Sequence, residues 1–322
     1  MTEVTVSEEK KRELFTFLLK SRRLEEKLID MITRGEIAGW LHPSLGGEAV
    51  GVGVTGALKP KDYINNTHRG RPIIVTRGVP LKRFLLEVLG KKGGPCCGIA
   101  GEMHYADIEY GILGTQGMVG ANIPLSVGFA LACQIKNSGQ VVVSYFGDGA
   151  VDEGNFHESV NMASVWKLPI VFAVENNRWA QFIPQIFTAA QPDIWRKAEG
   201  YNMPGQLVDG TNVLEVYRAA FEAVDRARRG EGPTLLECRF NRWLGHYVGD
   251  PQKYRDRKDI EAACQVDPVT KFREQLFAEH LLTAETVEKL EQAIKAEIED
   301  AVDSARCSPP ADPKTVFDNI YV

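Results

Sequence analysis

Two stretches of the chain are continuously apolar, Val141 to Phe146 and Leu168 to Val174. Short runs of this kind, rich in β-branched residues, read as buried strands. Between them Phe156, Val160 and Ala163 recur on one helical face. Strand, helix, strand is the unit from which parallel sheets are built. Elsewhere the pattern is helical. Leu14, Phe17, Leu18, Leu24 and Leu28 predict a helix over 7–35, capped by Ser7 and stopped by Gly35. Further helices are predicted over 48–58, 80–90, 122–136 and 213–229, the last capped by Asn212, with a short strand over 234–238. Residues 93–120 read as a glycine-rich loop, and from Asp267 onward the chain is charged and helical. The expected architecture is α/β, a mostly parallel central sheet with helices on both faces. Residues 1–322 are expected to form one domain, with 265–322 a peripheral helical tail.

Both apolar runs end in polar breaks. Gly147-Asp148-Gly149 follows the first and Asn176-Asn177 ends the second, with Asp148 and Asn177 29 residues apart. A crossover of that length returns the chain to a neighbouring parallel strand, so both side chains project at one edge of the sheet, where open α/β sheets bind ligands. An acid and an amide oxygen suit a hard cation such as Mg²⁺, which takes its remaining ligands from phosphate and water. The glycines allow close backbone approach, and the following helix offers free N–H groups to an anion. GDG alone is usually a turn; with NN after the next strand it predicts a diphosphate–Mg²⁺ site.

This pattern, GDG and then NN about thirty residues on, resembles the motif of thiamine diphosphate enzymes. GDGAVDEGNFHESVNMAS and LPIVFAVENNRWA are similar to α subunits of the decarboxylating component of 2-oxo acid and acetoin dehydrogenase complexes. HPSLGGEA, NTHRG, GEMH, GTQGMVGANIPLSVGFALA, VDGTNV and GPTLLECRFNRWLGHYVGD follow in family order from about residue 10 to 280. The resemblance implies a thiamine diphosphate-binding fold, with Mg²⁺ held by the Asp148 and Asn177 side chains and the Trp179 carbonyl. It implies that Gly149, Ala150, His68 and Arg69 meet the diphosphate, and that Gly117 and Val119 surround the cofactor's middle. His42 and His246 match the histidines that line the active-site mouth.

The resemblance also implies partners. The glutamate that activates the cofactor comes, in this family, from a separate β subunit, so an α₂β₂ heterotetramer is expected. The cleaved acyl unit would pass to a lipoyl group on an acyltransferase component. GHYVGDPQKYR is closer to acetoin dehydrogenase than to pyruvate or branched-chain relatives. A split transketolase-like transferase shares the GDG–NN core but not HPSLGGEA, NTHRG or GHYVGD; a non-catalytic subunit would have lost the metal ligands. Departures from the pattern are Glu102 in place of Ser, Tyr247 in place of a phosphorylated Ser, THRGRP in place of the commoner arginine loop, and Gln181-Phe182-Ile183-Pro184 after NN. They fall where substrate contacts are expected.

Composition narrows the picture further. A net charge of −5 gives no reason to expect nucleic acid as a partner. Apolar runs of about seven residues fall far short of a membrane span. The charged N-terminus and six cysteines without a regular framework point to a reduced, cytoplasmic protein. Cys96-Cys97 beside His104 is a poor zinc set, because adjacent cysteines bind one metal badly. Gly51-Val52-Gly53-Val54-Thr55-Gly56 matches a dinucleotide fingerprint but follows no strand, and reads instead as a helix packed through its glycines. His157 is as consistent with packing as with function, and Arg71 reads as a loop charge beside Arg69.

Overall fold

The computed structural model describes residues 4–318. Six parallel strands form the central sheet: β1 (Tyr63–Thr67), β2 (Ile112–Gln116), β3 (Val142–Gly147), β4 (Ile170–Asn176), β7 (Gly205–Asp209) and β8 (Thr234–Arg239). Their order is β2-β1-β3-β4-β8-β7, and a separate two-residue hairpin pairs β5 (Trp179–Ala180) with β6 (Ile183–Pro184). Strand order reverses between β1 and β3, which is where a crevice opens at the carboxyl ends of such a sheet.

The central strands β3 and β4 are buried on both sides, so they read as largely apolar runs. Along β3, Val143 and Tyr145 face one layer, while Val142 and Phe146 face the other. The first layer contains α2 (Glu48–Gly56) and α7 (Val213–Arg228); the second contains α5 (Asn122–Ile135) and α6 (Gly154–Val165). The glycines of α2 serve packing. A Cβ on Gly51 would lie 2.8 Å from Pro72, and one on Gly53 would lie 2.7 Å from Val216.

A third layer is built on α1 (Glu8–Thr33), whose N-cap Ser7 accepts the Lys10 N–H. Against it lie α3 (Arg71–Thr76), α9 (Pro268–Ala278) and α10 (Ala284–Arg306), and α4 (Leu81–Val88) packs on α10. Helix α8 (Arg257–Gln265) precedes α9. The helices past residue 265 bury Phe272, Leu276, Ile294, Ile298 and Val302 in this layer; residues 319–322 of the expected tail lie outside the described residues. Among the described residues no helix is long and apolar enough to cross a membrane.

Three strands differ from expectation. β1 has the sequence YINNT and buries both Asn65 and Asn66. β2 lies inside the stretch expected to be all loop, and β7 was not expected at all. The turn after Gly147 also differs: Asp148–Asp152 is a 3₁₀ turn, and the helix proper begins only at Gly154.

Candidate active site

The carboxyl ends of β1, β3 and β4 open into a cavity of about 440 Å³. Gly147 of β3 pairs with Glu175 of β4, so Asp148 and Asn177 leave the sheet at the same level. Both line the cavity, as do Gly149, Ala150 and Trp179. A Cβ on Gly149 would come within 3.0 Å of Ala180, so the backbone here sits directly against the β5–β6 hairpin. His68 and Arg69 arrive from the end of β1, and Gly117 and Val119 from the turn after β2. His42 comes from the loop between α1 and α2, and His246 from the loop after β8. All the residues that the resemblance assigns to the cofactor, the metal and the active-site mouth thus line one cavity.

The charge arrangement follows from burial. Asp148 is only 3% exposed and its Oδ2 has no partner among the described residues. Burial pushes its carboxyl up to about 6. A buried carboxylate oxygen left without a partner is costly unless a cation meets it. Among the described residues no three His, Cys, Asp or Glu groups converge as a self-sufficient metal cage. Asp148 and Asn177 therefore suit a cation that brings other ligands with it, as Mg²⁺ does with phosphate. Asn177 Oδ1 accepts the Trp179 N–H at 3.1 Å, which orients the amide.

Opposite Asp148 the cavity is cationic. Arg69 is pinned by the Pro43 carbonyl (2.5 Å) and the His246 carbonyl (2.9 Å), with His246 Nδ1 at 3.3 Å. Burial, Arg242 and Arg71 lower its guanidinium to about 9. Arg242, 2% exposed, donates from Nη2 to the Gln181 carbonyl and Tyr254, but its Nε and Nη1 have no partner among the described residues. Sequence reasoning missed Arg242; the signal was its position in NRWLGH, four residues before His246. It also missed Glu175, whose carboxylate accepts from Thr67 Oγ1 at 2.8 Å at the cavity floor.

Three imidazoles gather at one side. The His42 ring lies 4.4 Å from that of His68 and 4.8 Å from that of His246. Burial, then Arg69, lowers His42 to about 3 and His246 to about 4, and lowers His68 as well. Burial thus favours the neutral imidazole at all three. The His246 loop is held by Asp250, which accepts the His246 N–H at 2.6 Å and the Tyr254 hydroxyl at 2.5 Å.

Several expectations need correction. Arg71 is no loop charge: it is fully buried and ion-paired to Glu25 and Glu102. Glu102 and Arg71 of the altered THRGRP loop therefore meet each other behind the cavity, and neither of these two residues lines it. Gln181 does line it, and the Phe182 ring sits 5.7 Å from His246. His157 lies outside the cavity, bonded to the Tyr201 hydroxyl at 2.5 Å.

Comparison with known proteins agrees with this site. The model of the dehydrogenase E1 component family matches residues 18–314. The α subunit of acetoin:2,6-dichlorophenolindophenol oxidoreductase from Bacillus subtilis is 38% identical over 99% of this chain and 96% of its own. Its counterpart from Cupriavidus necator is 37% identical over 97% and 95%. The pyruvate dehydrogenase E1 component subunit alpha of Zymomonas mobilis is 36% identical over 96% and 88%. With the family match running nearly end to end and the cavity at the reversal of strand order, this chain belongs to the dehydrogenase E1 component family.

Proposed function

We propose that the chain is the α subunit of an E1 enzyme that binds thiamine diphosphate through Mg²⁺. With a separate β subunit it would cleave acetoin or decarboxylate a small 2-oxo acid, pyruvate or a branched-chain one. The acyl unit would then pass to a lipoyl group on an acyltransferase. The observation that carries this reading is that Asp148 Oδ2, near Asn177, and Arg242 Nε and Nη1 are all left without partners among the described residues lining one cavity. A cation on one side and an anion on the other complete both, and a Mg²⁺–diphosphate group supplies the two together.

Each group has a role in this reading. Asp148, Asn177 and the Trp179 carbonyl hold the metal. Backbone at Gly149 and Ala150 meets the diphosphate, and His68, Arg69 and Arg242 complement its charge. Gly117 and Val119 flank the cofactor's middle; a Cβ on Gly117 would lie 3.1 Å from His104 and Met103, so this wall has no spare room. When bound, the cofactor supplies an electron sink for breaking a carbon–carbon bond beside a carbonyl. His42, buried, and His246, half-buried, stabilise charge at the mouth and hold the substrate oxygen.

An α₂β₂ heterotetramer, with β supplying the activating glutamate, is supported by what is left uncovered. Leu125 and Phe129 on α5, Met162 and Val165 on α6, and Met118 and Val119 at the cavity lip are all exposed. Apolar side chains clustered this way mark a surface that another chain covers. A cytoplasmic location belongs to the same proposal.

Co-expression with the partner β chain tests it. Acetoin, pyruvate and branched-chain 2-oxo acids are each assayed with an artificial electron acceptor, with and without thiamine diphosphate and Mg²⁺. Turnover should need both chains and both additives. Full-rate turnover by the isolated chain, or turnover indifferent to thiamine diphosphate, would overturn the reading.

A further inference from the structure

Behind the histidines lies a cluster whose side chains do not line the site cavity. Arg71, the first residue of α3, is fully buried, as is Glu25 on α1. Arginine has five N–H donors in a rigid fork, and here every one is used. Nε donates to Glu25 Oε2 at 2.8 Å, and Nη2 donates to Glu25 Oε1 at 3.0 Å and to the His42 carbonyl. Nη1 donates to the His68 carbonyl at 2.7 Å and to Glu102 Oε1. Glu25 then reaches back to the His42 loop, accepting from the Ser44 backbone N–H at 3.1 Å and its hydroxyl at 2.7 Å.

From this geometry we infer that Arg71 is a positioning residue: one guanidinium, anchored on Glu25, fixes the backbones of His42 and His68 together and so sets where both imidazoles point. The inference rests on the reading of those histidines as site groups. No other described side chain bonds the main-chain oxygens of both. The two loops are far apart in sequence and meet through this fork. Their rings stand edge to face, 4.4 Å apart, an arrangement that a small shift of either backbone would open. Glu102 is the lesser anchor. It offers one oxygen to Arg71 while its Oε2 has no partner among the described residues, and a neutral amide oxygen can accept the same bond.

The distinguishing variants are Arg71→Lys and Glu102→Gln. A lysine keeps the buried charge but has three donors on a single nitrogen and cannot span acceptors on four separate residues. Histidine-ring ¹³C–¹H spectra of the full chain, assigned with His42→Gln and His68→Gln, report ring position without any cofactor. Turnover of the complex with its β partner gives kcat and KM. Arg71→Lys should broaden or shift the His42 and His68 ring signals together, leave His157 and His280 unchanged, and lower kcat by about tenfold to 100-fold with little change in KM. Glu102→Gln should leave ring signals and kcat within about twofold of the parent. Ring signals unmoved by Arg71→Lys would overturn the inference, as would Glu102→Gln disturbing them equally. Rings displaced with kcat intact would overturn it too, and would trace the failure to the role given to the histidines.

Discussion

Gly147 of β3 and Glu175 of β4 are register partners in the parallel sheet, Gly147 opening the polar break that ends its strand and Glu175 standing directly before the other. The next turns of the chain carry Asp148 and Asn177 into the same cavity. The site is thus a product of strand pairing. A one-residue slip between these strands would turn their side chains to the opposite layers.

Replacing Asp148 by Asn keeps the shape and removes the charge. Binding of thiamine diphosphate in the presence of Mg²⁺ should weaken about tenfold to 100-fold, the worth of a charged contact of roughly 1.5–3 kcal/mol. Fluorescence titration of the assembled complex measures this. The ligand-free chain should melt no lower than the parent, because a buried carboxylate oxygen without a partner is removed.

Arg242→Gln should weaken affinity for inorganic pyrophosphate by about tenfold, since a partly unpaired buried guanidinium is replaced by a neutral amide. Calorimetric titration with and without Mg²⁺ separates this loss from that of Asp148→Asn, which should appear only with the metal present.

His246→Ala should lower transfer to a lipoyl acceptor by about 100-fold or more, in the range of a lost acid–base group, while cofactor affinity changes less than about threefold. Parallel assays with a lipoyl domain and with fluorescence titration test the split; unaltered lipoyl transfer would remove the histidine from the reaction.

Glu102 predicts a pH dependence of stability. Burial pushes its carboxyl up from 4.5 to about 7 against the pull of Arg71. The folded chain therefore binds this proton more tightly than the unfolded chain. The associated stability is fully present below about pH 4.5 and is lost as pH rises through 7. Urea melts of the parent should show this decline, on the order of 2 kcal/mol, and Glu102→Gln should flatten it.

Much of this was legible in the sequence, for identifiable reasons. β3 and β4 are covered on both faces, so their apolar runs announce them, and the glycine and amide breaks mark where they end. β1 was hidden because its two asparagines sit where a buried strand usually carries apolar residues. The Asn65 amide donates to the Asn122 carbonyl at 3.0 Å, and Asn66 turns to the Gly70 carbonyl and the Thr67 N–H, contacts that exist only after folding. β2 was masked by the glycines on either side of it. The site residues on the motifs were found, while Arg242, Glu175 and Arg71 were not. Their importance comes from being buried, and no local pattern distinguishes a buried arginine from a solvated one.

The saturated fork of Arg71 has a bearing on how such chains are recombined. Positions 25, 71 and 102 supply one another's charge from three separate stretches, so they are inherited usefully only as a set. A chimera whose junction falls between residues 25 and 71, however smooth in backbone, would part Arg71 from its bidentate partner Glu25 and strand an ion in the interior wherever the homologue lacks the other half of the pair. A junction before residue 25 or after residue 102 leaves the trio intact and is the place to cut.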